Sequence, residues 1–415
     1  MKKLPSLLIL LLLTCPTLQA QQNMVNSNSI NTLQVMVNGE WGSVPIITLG
    51  SDDRLEISFD EMSHNYHRYT YYLSHCNADW SPSSLFEIDY LDGINGQQIE
   101  DYENSINTTM LYTHYRMHLP NDKVQMKVSG NYILSIFDDS DSDTPVIKAC
   151  FMVMEPKVGL QMSVTGNTDI DTNKSHQQVS FTISTNGYNM VSPQNELTAK
   201  VYQNRRPDNC VTVKEPTYIT SSQLQYVHNP KLIFDAGNEY RRFEVVNVYS
   251  PSLGVDQVKF LDPYFHAFLD PVKPRRNYSY DEDQDGRFLV RSNATYDVNT
   301  EADYLFVHYT LVTPPLENGD FYLAGDFTSY RYLPQYKTEY NEGTGAYESI
   351  QLQKQGAYNY LYLWLPSGGS VGETAQSAGN FYEAENEYMI LLYHRPIGGR
   401  YDKLVGFSQL KYTQE

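Results

Sequence analysis

The chain is poor in the residues and words that carry most chemistry. Four cysteines and three tryptophans are spread over 415 residues, so disulfides cannot be the framework of a chain this long. No HExxH pair, GxGxxG turn or GxxxxGK[ST] loop is present, and the one GxSxG string, GGSVG at 368–372, has no helical pattern after it to make a nucleophile elbow, which leaves no local signature of a serine hydrolase, a zincin or a phosphate-binding fold. Basic residues are scarce, 30 Lys and Arg against 49 Asp and Glu, for a formal net charge of −19. That balance argues against a nucleic-acid surface, which needs clustered cations to neutralise phosphates, and against adhesion to anionic lipid. Apolar residues at helical spacing over three turns are almost wholly missing. No window after the N-terminal segment comes near the roughly 20 apolar residues of a membrane-spanning helix.

The N-terminus itself is a different case. Lys2 and Lys3 precede an apolar run from Leu4 to Leu13, and Thr14 to Ala20 ends on a small residue. This is the pattern of a secretory signal peptide over residues 1–20. A lipoprotein reading through Cys15 stands beside it, although Thr14 and Pro16 suit that processing badly. Cleavage after Ala20 leaves Cys76, Cys150 and Cys210. Cys76 with Cys150 is the expected pair if a bridge forms, and three buried thiols are the alternative.

What the chain has in abundance is tyrosine, 35 residues, and alternation with a period of two. Leu55, Ile57 and Phe59 alternate with polar neighbours, as do Tyr132, Leu134 and Ile136; Phe243, Val245 and Asn247; and Tyr358, Tyr360, Tyr362 and Trp364. Short strands between Gly, Pro, Asn and Asp clusters predict an all-β protein of tandem immunoglobulin-like or fibronectin-like β-sandwiches with little helix. About 395 mature residues suit two to four domains. Turn-rich breaks divide them into an extended arm (21–32), a first sandwich (33–155), a loop-rich middle domain (156–300) and a C-terminal early-set-like sandwich (301–415). GNYILSIF (130–137) and GAYNYLYLWL (356–365) share a Gly-x-Tyr opening, which fits a late-strand tyrosine closing a loop onto its sheet.

Candidate sites are few. Asp281, Asp283, Asp285 and Gly286 have the opening spacing of a calcium loop, but the twelfth position is Ser292 where a bidentate glutamate is required. The run reads as an acidic turn before RFLVRS (287–292), with a loose calcium site as the alternative. His114 and His118 share one side of a strand, with no third ligand nearby to complete a metal site. Trp80, Phe86, Tyr90, Tyr102, Tyr112 and Tyr115 are candidate partner-binding residues, because aromatics dominate interface hot spots. A sandwich core is the competing reading of the same six, and alternation allows both. No cofactor and no enzymatic activity are expected.

The remaining signal lies in long polar-aromatic words: YYLSHCNADW (71–80), DYLDG (89–93), DYENSINTT (101–109), YTHYRMHLPN (112–121) and SGNYILSIF (129–137). Further words are FDAGNEYRRFEVVNVYSPSLGVDQV (234–258), NYSYDEDQDGRFLVRS (277–292) and TEADYLFVHYTL (300–311). In this order they resemble the signatures of the type IX secretion system plug family of Bacteroidota. Where that family commonly shows Asn-Gly, this chain has Asp285-Gly286, and both suit a tight turn. The resemblance implies a non-enzymatic periplasmic protein of immunoglobulin-like domains, peripheral to the outer membrane, that associates with the very large β-barrel translocon and closes its periplasmic opening. The alternative is an extracytoplasmic carbohydrate-binding sandwich protein. FYLAGDFTSY (321–330), AYESIQL (346–352) and GAYNYLYLW (356–364) loosely resemble starch- and glycogen-binding modules, but Tyr330 stands where those modules place a sugar-stacking tryptophan.

Overall fold

A computed structural model describes residues 23–140, 143–185 and 187–414. The expected signal peptide and Cys15 lie outside the described residues. Strands dominate, and the α-helices are single turns such as Glu87–Tyr90, Pro193–Glu196 and Val298–Glu301. No helix among the described residues is long and apolar enough to cross a membrane.

Each alternating segment sends its apolar side into a core. Leu55, Ile57 and Phe59 are buried, as are Tyr132, Leu134 and Ile136, and Tyr358, Tyr360, Tyr362 and Trp364. The first core lies between two sheets. One pairs Ile30–Val37, Leu55–Glu61, Thr113–Leu119 and Asp101–Asn104, and the other contains Tyr69–Cys76, Gly130–Asp138 and Ile147–Met154. A second core joins the sheet around His176–Ser184 to one holding Leu197–Gln203, Glu387–His394 and Lys403–Lys411. The third lies between the sheet of Arg241–Val245, Phe288–Val290, Gly319–Ala324 and Gly356–Pro366 and the sheet of Val255–Leu261, Tyr264–Leu269, Tyr304–Leu311, Ala346–Lys354 and Glu339–Asn341.

The cores therefore do not follow the expected boundary at 300/301. Arg241–Val245 pairs with Gly356–Pro366, so Phe243 and Tyr309 share one core. The C-terminal strands return to the second domain by pairing with Leu197–Gln203. The third domain is an insertion in the second, entered near Glu239 and left near Glu385. Turn-rich breaks mark where a chain bends, and they carry no information about which distant strand a later segment will join.

The two Gly-x-Tyr words form the same device. The Tyr132 hydroxyl donates to the Val128 carbonyl (2.8 Å) and that of Tyr358 to the Lys354 carbonyl (2.6 Å), each four residues back. The rings stack on Phe151 and on Phe243 and Phe288. Each hydroxyl thus satisfies a carbonyl at the strand entrance while its ring fills the core.

The first and second domains share one ten-stranded sheet among the described residues. Ile147–Met154 runs parallel to Lys403–Lys411, with Met154 opposite Leu404. Backbone bonds from Glu155 to Leu404 and from Lys157 to Val405, both 2.9 Å, continue that join.

Candidate functional site: the domain junctions

The aromatic words converge on the surfaces where the three domains meet. Asp60, next to the end of its strand, has a carboxylate with no access to water. One oxygen lies 2.6 Å from His114 Nδ1. The other accepts from Lys354 Nζ and from the Tyr304 hydroxyl, each at 2.7 Å and both from the third domain. Lys354 Nζ also donates to the Asn299 carbonyl (2.7 Å) and sits 4.1 Å from the centroid of the Tyr112 ring. Burial holds the Lys354 pKa below its ordinary value, and the charge of Asp60 opposes that shift.

Neighbouring groups extend the same junction. The Tyr112 hydroxyl donates to the Ala302 carbonyl (2.8 Å). The Asp303 carboxylate accepts from the Thr109 amide, the Thr109 hydroxyl and the Met110 amide. The word DYENSINTT and its continuation are thus a clasp on the third domain.

The word SHCNADW builds the junction with the second domain. Cys76, Ala78, Trp80, Cys150 and Met152 form one apolar cluster with Tyr202, Met389, Leu391, Tyr393 and Leu404. Trp80 reaches it from a backbone at φ +65°, at the end of a turn closed by its amide on the Asn77 carbonyl (2.9 Å). Around the cluster, the Ala78 amide donates to Asp402 (2.9 Å), Tyr393 to Asn131 (2.7 Å) and Arg395 to both Asn77 and Asp402. No disulfide joins Cys76 to Cys150; both are buried, and burial pushes the Cys76 thiol up to about 12, so it packs as a small apolar group.

All three domains meet at Glu387. Its carboxylate accepts two bonds from Arg287 Nη2 (2.8 and 2.6 Å) and one from Arg205 Nε (3.0 Å). Arg205 also donates to the Gly42 and Ser43 carbonyls of the first domain. Burial pushes the Glu387 carboxyl up, but the two guanidinium groups outweigh it and the pKa lies below the usual carboxylate value.

The acidic run 281–286 is part of this junction. Asp281 pairs with Arg242 (2.7 Å), while Asp283 turns inward and accepts the backbone amides of Tyr240 and Asp285. Gly286 has φ +90°, and a Cβ there would overlap the Tyr330 hydroxyl, so the Asp-Gly pair makes a tight turn that only glycine can complete. Burial raises both carboxyls to about 7, with Asp283 also raising Asp285. Among the described residues no three His, Cys, Asp or Glu side chains converge to hold a metal.

Of the six aromatics expected at a partner surface, Trp80, Tyr90, Tyr112 and Tyr115 are buried, while Phe86 and Tyr102 are exposed. The buried four are corrected to core and junction residues. Only Tyr115 lies in a strand, while Trp80 ends a turn, Tyr90 closes the Glu87–Tyr90 helix and Tyr112 precedes Thr113–Leu119, and all four are covered by the same chain. Tyr115 packs on Phe59 and Tyr69, and Tyr90 donates to the Leu73 carbonyl (3.1 Å). Arg400 lies 5.6 Å from the Phe86 ring. His114 is committed to Asp60 while His118 faces solvent, so the two do not meet. Sequence reasoning missed Asp60, Lys354, Arg205, Arg287 and Glu387. Asp60 and Lys354 lie near the ends of LEISFDE and AYESIQLQK, strands that carry other charges and polar groups, so nothing local singled them out.

Two outcomes follow from these junctions. Asp60→Asn leaves Lys354 charged and unpaired and is expected to lower stability by about 3–5 kcal/mol in urea unfolding, whereas Asp60→Asn with Lys354→Met recovers a large part of that loss. For Asp283 and Asp285, the folded pKa lies above the unfolded value. The folded state then holds a proton that the unfolded chain releases between about pH 4 and 7, and the stability it contributes below that window is lost as pH rises through it. Asp285→Asn removes one of these protons from the balance and tolerates the positive φ. It should gain roughly 1–2 kcal/mol on wild type across that window, measured by unfolding at each pH.

Comparison with known proteins agrees with this architecture. Residues 30–155 match the family model described as Type 9 secretion system plug protein 1st domain. A crystal structure of a hypothetical protein from Parabacteroides merdae ATCC 43184 is 45% identical, with a TM-score of 0.93 over 95% of this chain and 100% of that one. No curated protein matches. The matched words are those that build the first domain and its two junctions, and that domain, residues 30–155, belongs to the family of type IX secretion plug protein first domains.

Proposed function

We propose that this chain is a non-enzymatic periplasmic subunit of the type IX secretion translocon, exported by a cleaved signal peptide, that closes the outer-membrane barrel from its periplasmic side. The observation that carries the reading is the way three sandwich cores are tied through buried, charge-paired and hydrogen-bonded junctions, in a chain whose first domain matches the plug family. A wide pore leaks unless its stopper resists flexing, and separate sandwiches on flexible linkers would move by default. Here the Asp60–Lys354 pair, the Trp80 cluster and the Glu387 fork each oppose such motion. Occlusion of this kind uses shape and needs no catalytic group.

The net charge of −19 favours reversible docking through polar contacts, since acidic surfaces bind and release with ionic conditions more readily than apolar ones. The carbohydrate-binding alternative loses its stacking residue. Tyr330 is buried and its hydroxyl contacts that of Tyr240 at 3.0 Å, so its ring cannot serve as a sugar platform.

Affinity purification of a C-terminally tagged copy from its native host in mild detergent, followed by mass spectrometry, tests the proposal. The giant outer-membrane barrel is expected in near-stoichiometric amount. Recovery of the protein alone, or with glycans or a nutrient-uptake barrel, would contradict it.

A further inference from the structure

The third domain presents an unusual outer sheet face. In Tyr264–Leu269, the side chains of Phe265, Ala267 and Leu269 enter the core, so Tyr264, His266 and Phe268 stand on the other side. In the neighbouring parallel strand Tyr304–Leu311, Phe306 and His308 occupy that same side. The register sets His266 opposite Phe306 and Phe268 opposite His308, which brings the two histidines together on a diagonal. His266 Nδ1 lies 2.8 Å from His308 Nε2.

Packing fixes both rings. Phe268 stacks on His308 with centroids 4.2 Å apart and 18° between planes, and Phe306 stacks on His266 at 5.1 Å and 29°. Each imidazole is thus held on one face by a phenyl ring from the adjacent strand, while both remain half-buried and open to solvent on one side. Lys259 sits over Phe268, 5.6 Å from its centroid, and the Glu348 carboxylate acts on His308 from the next strand. Burial lowers the pKa of both histidines, and His266 lowers that of His308 further, so both rings are neutral at pH 7. Neutral imidazole is the ligating form.

We propose that His266 and His308 form a two-nitrogen site for a divalent transition-metal ion of the zinc, nickel or copper class. Metal–imidazole bonds of about 2.0–2.1 Å at a tetrahedral angle place the two nitrogens about 3.3 Å apart, so the pair needs to open by roughly half an ångström. Coordination replaces a shared proton with the ion. The ring that donated the proton takes its other tautomer, the proton moves to the nitrogen facing away, and no net proton is released. No third protein ligand converges there among the described residues, so water completes the coordination sphere. Such a site exchanges its ion, unlike a closed structural zinc site.

Equilibrium dialysis of the purified, tag-free protein against zinc at neutral pH tests the proposal. Wild type and His118→Gln, a control at an exposed histidine, are expected to retain one zinc per chain that His266→Gln and His308→Gln each lose. Absence of zinc uptake by the wild type, or uptake that survives either substitution, would overturn the site. X-ray absorption of the zinc-loaded, unaltered protein provides a second measurement that does not depend on a variant folding. Two imidazole ligands are expected, and fewer than two would overturn the assignment.

Discussion

The Asp60 carboxylate is shut away from water, and a buried charge is tolerated only where partners replace its hydration. His114 lies on the adjacent strand of the same domain, but Lys354 and Tyr304 belong to a different one. The third domain must therefore occupy one position on the first, because a shift of an ångström or two would separate the buried Lys354 charge from Asp60 and leave Asp60 with His114 alone. Apolar contact alone would permit sliding. A buried ion pair adds little net stability over an apolar replacement, so the contribution of this one is geometric. The fork of Arg205 and Arg287 on Glu387 applies the same constraint where all three domains meet.

Topology reinforces that constraint. The third domain leaves the second and returns to it, so two strands of backbone cross the boundary side by side. The Phe381 amide donates to the Gly237 carbonyl (2.8 Å), and Asn386 reaches back to the Ala236 carbonyl (2.7 Å). A single linker can swivel, whereas two cross-bonded connections resist rotation. The first domain is tied differently, through a sheet continuous with the second and the Trp80 cluster. Three domains joined by three kinds of contact suit a body whose proposed task is to obstruct.

The fold class was legible because alternation reports burial directly, as in Leu55, Ile57 and Phe59 or in Tyr358 to Trp364. The repeated Gly-x-Tyr word was legible too, and both copies form the same hydroxyl-to-carbonyl closure. Two things were hidden. The insertion of one domain in another depends on strands such as Glu387–His394 choosing a partner nearly two hundred residues earlier, at Leu197–Gln203, and local pattern does not encode that choice. Trp80, Tyr90, Tyr112 and Tyr115 drew attention as interface residues, but a junction between domains of one chain has the same composition as a surface for another protein. Asp60 and Lys354, 294 positions apart, carry no local sign of each other.

The central claim is that the junctions make one mechanical body of three domains. Differential scanning calorimetry of the whole protein tests it most directly. A single transition whose calorimetric and van't Hoff enthalpies agree is the predicted result. Two or three separable transitions would show that the sandwiches unfold independently and would contradict the account.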